Sequence, residues 1–347
     1  MRAIPALVVV AAFVAACTSV TTPPEAKLAA STTGAPAADV WLRPAAVPHT
    51  EGNAPNAARI ELGRALFFDT RLSGSEMLSC AFCHNPARGW SDGQPTAVGH
   101  GFKHLGRKTP TILNTAYNPL QMWDGRKTTL EDQALGPIGS PDEMNLPLDK
   151  MVARLQTIGG YKPMFAAAYP GEGISEATVA KAIASFERTV VSTDAPFDRW
   201  REGDSHAISE SAQRGFALFT GKANCSLCHQ GFNFTDNGFH NIGVRSLTDT
   251  DDEGRFARRK VAVLKGAFKT PTLRDCELTA PYMHNGIYKT LEEVVDHYDR
   301  GGDVTANLSP NIKPLGLTPG EKADLVAFMK TLTGPPLHVE VPALPVS

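Results

Sequence analysis

The feature that most restricts this chain is a five-residue motif that occurs twice, as Cys80-Ala81-Phe82-Cys83-His84 and as Cys225-Ser226-Leu227-Cys228-His229. Cys-x-x-Cys-His is the attachment signature of c-type haem: two thiols bond the porphyrin edge and the adjoining imidazole becomes the iron's proximal ligand. One zinc shared by the two cysteine pairs is a rival reading, but it leaves an unneeded histidine beside each pair. A redox disulfide is another, but that motif does not usually come twice with histidine following each time. The fold must therefore enclose two haem groups. Cys276 stands apart in an apolar-flanked stretch and reads as a small buried hydrophobe.

The motifs belong to a larger duplication. Gly63-Arg64-Ala65-Leu66-Phe67 precedes the first and Gly215-Phe216-Ala217-Leu218-Phe219 the second. After them, KTPTILNTAYNPLQMWDGRKTTLEDQA (108–134) aligns without a gap onto KTPTLRDCELTAPYMHNGIYKTLEEVV (269–295). Such a long period is no solenoid repeat; it predicts two homologous domains, 51–204 and 205–335, followed by a tail, 336–347.

Helical signals dominate, and strand-like alternation is scarce. Val179, Ile183, Phe186 and Val190 recur at helical spacing in EATVAKAIASFERTVV. Thr290-x-x-Glu293 and Thr318-Pro319-x-Glu321 have the form of capping boxes, the second with proline at the first helical position. The expected fold is mainly α, with two cytochrome c-like haem domains.

The N-terminus, MRAIPALVVVAAFVAAC, has one basic residue and then an apolar run of about a dozen residues, too short for a stable span and suited to a secretory signal. Val14-Ala15-Ala16-Cys17 is similar to a bacterial lipobox, which implies cleavage after residue 16 and lipid on Cys17; ordinary cleavage with a spare cysteine is the alternative. Residues 17–50, rich in Thr, Ala and Pro, read as a flexible tether. These signals predict a periplasmic protein held to the membrane by a lipid anchor. A formal net charge of −2 offers no basic footprint for nucleic acid.

With these motifs stand GRALFFDTRLSGS, VGHGF, WDGR, DEMN, LTAPYMHNG and TLEEVVDHY. Over about residues 50–335 the chain resembles the bacterial dihaem cytochrome c peroxidase and MauG family. The resemblance implies two covalently bound haem c groups, domains packed face to face and hydrogen peroxide as substrate. It implies that Trp123 bridges the haems, that Glu143 is the acid–base residue beside the peroxide-binding iron, and that Gln133 lines the same pocket. A carboxylate suits that place, because cleaving the O–O bond requires a proton moved from the near oxygen to the departing one.

The two copies differ at one decisive position. Leu291, Val294, Val295 and Tyr298 fall on one stripe of a short helix ended by Gly301-Gly302; the equivalent of Tyr298 in the first copy is Pro137. Spacing alone makes Tyr298 a core residue. The resemblance implies that it is the sixth ligand of the second haem, where peroxidases fed by small cytochromes have methionine and MauG has tyrosine. Met283 is the competing ligand, although its counterpart Met122 points to packing. A phenolate favours the higher oxidation states of iron, whereas a thioether raises the potential. Pro137 offers no ligand atom, which leaves the first iron open to peroxide.

Three positions depart from the family pattern. His100 stands where resting cytochrome peroxidases carry a distal histidine on the first haem iron; it is either that ligand or a loop histidine. Ala223 replaces the tryptophan that MauG uses as a relay toward its substrate protein. Relatives hold calcium through two carbonyls, matched here by Thr279 and Pro281, and an asparagine, whose place is taken by Lys108, which has no acceptor. The function expected is a MauG-like peroxidase that oxidises an aromatic residue of an exported partner protein. The alternative is a cytochrome c peroxidase supplied by a small c-type cytochrome or cupredoxin; a two-haem electron carrier is disfavoured by Pro137 and Glu143.

Overall fold

A computed structural model describes residues 39–346; the expected signal segment and Cys17 lie outside the described residues. In chain order the helices are α1 (Ala57–Phe68), α2 (Cys80–Cys83), α3 (Leu130–Gly139), α4 (Leu148–Thr157), α5 (Tyr161–Ala168), α6 (Glu176–Glu187), α7 (Pro196–Arg201), α8 (Glu210–Thr220), α9 (Leu291–Asp299) and α10 (Pro319–Lys330). Among the described residues the one sheet is a short antiparallel pair, β1 (Phe239–His240) and β2 (Phe268–Lys269). The fold is mainly α, as expected. None of the described helices is long and apolar enough to cross a membrane.

Each repeat is organised by one helix crossing. α1 meets α6 and α8 meets α10, and a glycine sits at each crossing. A Cβ on Gly63 would lie 1.9 Å from the Ala182 carbonyl oxygen, and one on Gly215 would lie 2.0 Å from that of Asp324. Only a residue without a side chain lets the backbones approach so closely. The glycine that opens both lead-in segments thus has a packing cause. Around the crossings the apolar core divides in two. Leu62, Phe67, Trp90 and Phe186 belong to the first cluster, and Phe197, Phe219, Phe234 and Phe328 to the second.

Helix ends follow local chemistry. Thr318 and Glu321 form a reciprocal capping box with Pro319 at the first turn. At α9 the box is only half made: Thr290 Oγ1 accepts from Glu293 N at 3.2 Å, while the Glu293 carboxylate accepts from Lys289 N. The repeat persists in the backbone. Asn114 and Asp275 share the left-handed conformation, with φ of 60° and 55°, as do Met122 and Met283, at 72° and 69°.

Contacts cross three of the expected domain limits. Phe197 already packs in the second cluster, so the changeover between cores comes before residue 205. The tether is shorter than residues 17–50: Trp41 stacks against Phe234 and Phe216 at 5.1 and 5.4 Å, and Asp39 pairs with Arg201 at 2.6 Å. The tail is docked as well, because Gly160 N donates to the Val346 carbonyl and Leu337 and Val339 pack on the first core. Cys276 is buried in the second core, as its apolar neighbours implied.

Candidate functional site

The two motifs take equivalent conformations. His84 Nδ1 donates to the Trp90 carbonyl at 3.2 Å and His229 Nδ1 to the Phe234 carbonyl at 2.8 Å. A carbonyl can only accept, so each Nδ1 carries the proton and each Nε2 keeps its lone pair for a metal. None of the four motif cysteines is joined to another in a disulfide among the described residues, and burial pushes the Cys83 and Cys225 thiols up to about 12. A reactive redox dithiol needs the opposite shift. Hydroxyls tie each motif loop to its KTPT segment: Ser91 Oγ donates to the Thr109 carbonyl at 2.8 Å, and Thr235 Oγ1 to that of Thr270 at 2.7 Å.

Beside the second motif lies a cavity of about 270 Å³, lined by Cys225, Cys228, His229, Tyr298, Met283 and Trp123 among others. Its chemistry is mostly apolar, with a few polar groups. Burial, with Cys225 and Cys228 adding to it, pushes the Tyr298 phenol far above its usual range. Its hydroxyl makes no hydrogen bond among the described residues. An imidazole, two thiols and a phenol without a hydrogen-bond partner thus line one mostly apolar cavity, which fits a thioether-linked haem with an oxygen sixth ligand.

The sequence profile of the di-haem cytochrome c peroxidase family matches residues 57–206. Methylamine utilization protein MauG of Methylorubrum extorquens is 48% identical over 306 residues, 88% of this chain and 86% of that one. Cytochrome c551 peroxidase of Pseudomonas aeruginosa is 35% identical, covering 88% and 87%. The chain belongs to the di-haem cytochrome c peroxidase family. Among solved structures, a MauG-like protein associated with microbial copper homeostasis is 34% identical, covers 84% of this chain and 93% of that one, and superposes with a TM-score of 0.79. The protein is therefore an oxidoreductase acting on peroxide, with a two-domain cytochrome c-like fold and two haem c groups.

In this di-haem peroxidase the remaining expected site residues fall into two groups. Trp123 lines the second cavity, together with Lys108, Thr279 and Pro281. Glu143 and His100 stand outside its lining, in segments that meet after α3, and Gln133 lies in the first half of α3. The segment after Pro137 turns back through a Met144 N–H to Pro137 carbonyl bond of 3.0 Å, which sets Glu143 near Cys83; Asp92 and then Glu143 add to the burial that raises that thiol. His100 N donates to the Asp142 carbonyl at 3.0 Å, and Gly99 packs so tightly on Asp142 that a Cβ would lie 1.9 Å from its oxygen. His100 Nδ1 is buried without a partner. Gln133 Nε2 faces Met122 Sδ at 3.9 Å. At the position where relatives carry the asparagine ligand, Lys108 instead donates its Nζ to Ser91 Oγ at 2.9 Å.

The structure adds residues that patterning did not single out. His297 is fully buried beside Tyr298; its Nε2 donates to the Ile242 carbonyl at 2.9 Å and its Nδ1 faces the Tyr288 hydroxyl at 2.9 Å. His240 and Asp236 pair at 2.8 Å beside Cys228, which holds His240 up to about 10. Asp124, next to Trp123, is buried among Arg107, Arg126 and Arg258. Burial alone would raise its pKa, but the Arg126 and Arg107 guanidiniums outweigh that and hold it below the usual range. The loop that carries Trp123 is thereby pinned in place.

Proposed function

We propose that this di-haem peroxidase is a MauG-type enzyme that uses hydrogen peroxide to oxidise an aromatic side chain of an exported partner protein. When bound, the haems supply the irons that meet peroxide and hold the oxidising equivalents. Cys80, Cys83, Cys225 and Cys228 would carry the thioether links, with Nε2 of His84 and His229 as proximal ligands. Glu143 would take the proton from the near peroxide oxygen and return it to the departing one, with Gln133 beside it. Trp123 would span the two centres. The protein would act in the periplasm, anchored through lipid on Cys17.

The observation that carries the reading is Tyr298, which lines the cavity beside the second motif with its hydroxyl unbonded among the described residues, while its repeat equivalent is Pro137. On this reading Tyr298 would cap the second haem with an anionic oxygen, and Pro137 could offer the first none. Resting oxidised protein should show one high-spin and one low-spin ferric haem by EPR. Two low-spin signals would overturn the reading. They would favour the rival, a cytochrome c peroxidase supplied by a small cytochrome or cupredoxin, whose specific support is the unpartnered, buried Nδ1 of His100.

A further inference from the structure

Residues 255–266 form a loop closed at a narrow neck: Arg255 N donates to the Ala267 carbonyl at 2.8 Å and Gly266 N to the Glu253 carbonyl at 3.0 Å. Both sides of the neck hold the segment that carries Trp123. Arg255 Nη1 donates to the Asp124 and Gly125 carbonyls at 2.7 and 2.6 Å, and Lys269 N donates to the Trp123 carbonyl at 2.9 Å. β2, which follows the loop directly, lines the second cavity through Phe268 and Lys269. A further brace comes from Asn307, whose Nδ2 donates to the Lys265 and Ala262 carbonyls at 2.8 and 3.2 Å. The loop is thus a fixed projection from the wall of the second cavity.

Its surface stands out from the rest of the chain. Residues 255–265 carry five cations, Arg255, Arg258, Arg259, Lys260 and Lys265, and no acid, in a protein of formal net charge −2. Residues 257–263 are all exposed, Val261 at 48% and Val263 at 64%. Arg258 and Lys260 are partly balanced by Asp124 at 3.3 Å and Glu253 at 3.1 Å. Arg259 and Lys265 make no ion pair or side-chain hydrogen bond among the described residues, and Asp249 and Asp251 precede the neck and are not part of the loop. An exposed cation by itself is an ordinary solvated residue. Here cations flank two exposed valines on a braced frame, the combination of apolar centre, polar rim and preorganisation that a protein interface uses. We propose that loop 255–266 docks an acidic face of the protein with which this peroxidase exchanges electrons. The inference rests on the reading that the enzyme acts with a protein partner, and it names that partner's surface chemistry and its place of contact.

The test gives the holoprotein hydrogen peroxide and a reduced, acidic single-haem cytochrome c as probe, with neutral hydroquinone as the reference reductant. Two ferrous probe molecules lose one electron each, and one peroxide with two protons becomes two waters. Stopped-flow absorption reads both rates. At low ionic strength Arg259→Glu and Lys265→Glu should each lower the ratio of probe oxidation to hydroquinone oxidation by about tenfold or more, the size of an electrostatic steering effect. Arg259→Lys and Lys265→Arg, which keep the charge, should keep the ratio, and salt should erase the difference between wild type and the Glu variants. An unchanged ratio in either Glu variant overturns the proposal, as does a wild type that oxidises a basic cytochrome as fast as the acidic one. Phosphatidylglycerol vesicles supply the other anionic surface: binding that the Glu variants lose, with the ratio unchanged, overturns the proposal and assigns the loop to the membrane. Trp123→Phe separates this inference from the function proposed above. Probe oxidation unaltered in that variant but slowed in the Glu variants sinks the bridge reading and leaves the dock standing, whereas the reverse pattern sinks only the dock.

Discussion

Pro137 and Tyr298 occupy the same place in two equivalent helices, α3 and α9, each entered through a threonine cap, Thr129 and Thr290. The shared cap and shared apolar stripe make the backbone alike, so the difference between the centres comes down to what each side chain can donate. Proline contributes no atom with a lone pair and removes its own N–H. Tyrosine contributes a hydroxyl whose proton would have to leave before it could bind ferric iron, and that iron's charge would offset the burial that otherwise holds the proton on.

Replacing that oxygen by sulfur tests the assignment. Tyr298→Met should raise the second haem's reduction potential and remove any long-lived doubly oxidised state after peroxide. Potentiometric titration followed by absorption checks the first effect and stopped-flow the second. An unmoved potential would mean that the phenol is not a ligand and that the neighbouring Met283 thioether deserves the role.

Glu143 is tested by removing its charge and keeping its shape. Glu143→Gln should slow the reaction with peroxide by about 10²–10⁴-fold, the usual worth of a positioned acid–base group, with both haems still attached. Haem stain and mass set the loading, and rapid mixing with peroxide measures the rate. Full reactivity in the variant would leave the proton transfer to another group.

Much of this was legible in the sequence, and the failures have physical causes. The two motifs, the KTPT repeat, and helices α6, α9 and α10 were readable because covalent chemistry, duplication and periodicity each leave a local mark. Trp41 was not, since one aromatic in a Thr/Ala/Pro-rich run carries no period, and its docking depends on Phe216 and Phe234 far along the chain. His297 lies off the apolar stripe of α9 and is buried by partners from other segments. Lys108 and Lys269 were visible as a repeat, but their burial contradicts the ordinary expectation for lysine. Glu143, Gln133 and His100 were named from the resemblance alone, since no spacing or periodicity singles them out.

Glu187 makes stability depend on pH. It is buried at the end of α6, its Oε2 has no partner, and burial pushes its carboxyl up to about 8; Arg188, paired to Glu131 at 2.9 Å, opposes the rise only partly. Below about pH 4.5 the carboxyl is protonated in both folded and unfolded chains, and its favourable contribution is complete. Between that pH and about 8 only the unfolded chain ionises, so stability falls by up to about 1.4 kcal/mol per pH unit. Above that window the slope vanishes. Glu187→Gln should flatten the decline in thermal midpoint across this range, and an equally steep decline in the variant would assign the pH dependence to other groups.

The last prediction concerns how Tyr298 is aimed. His297, its neighbour, cannot rotate: Nε2 donates to the Ile242 carbonyl while Nδ1 meets the Tyr288 hydroxyl, which also lies against Asp303 and accepts from Arg300 at 3.0 Å. This chain of bonds ties α9 to the segment after β1 and to the loop after Gly302, so the phenol's position is set by polar partners as well as by Leu291 and Val295. Tyr288→Phe removes the central hydroxyl and leaves buried groups unpaired, which should cost about 1–3 kcal/mol. It should also split the second haem's low-spin EPR signal into several forms while the first haem's signal stays single. A sharp, unshifted second signal would show that apolar packing alone places the ligand.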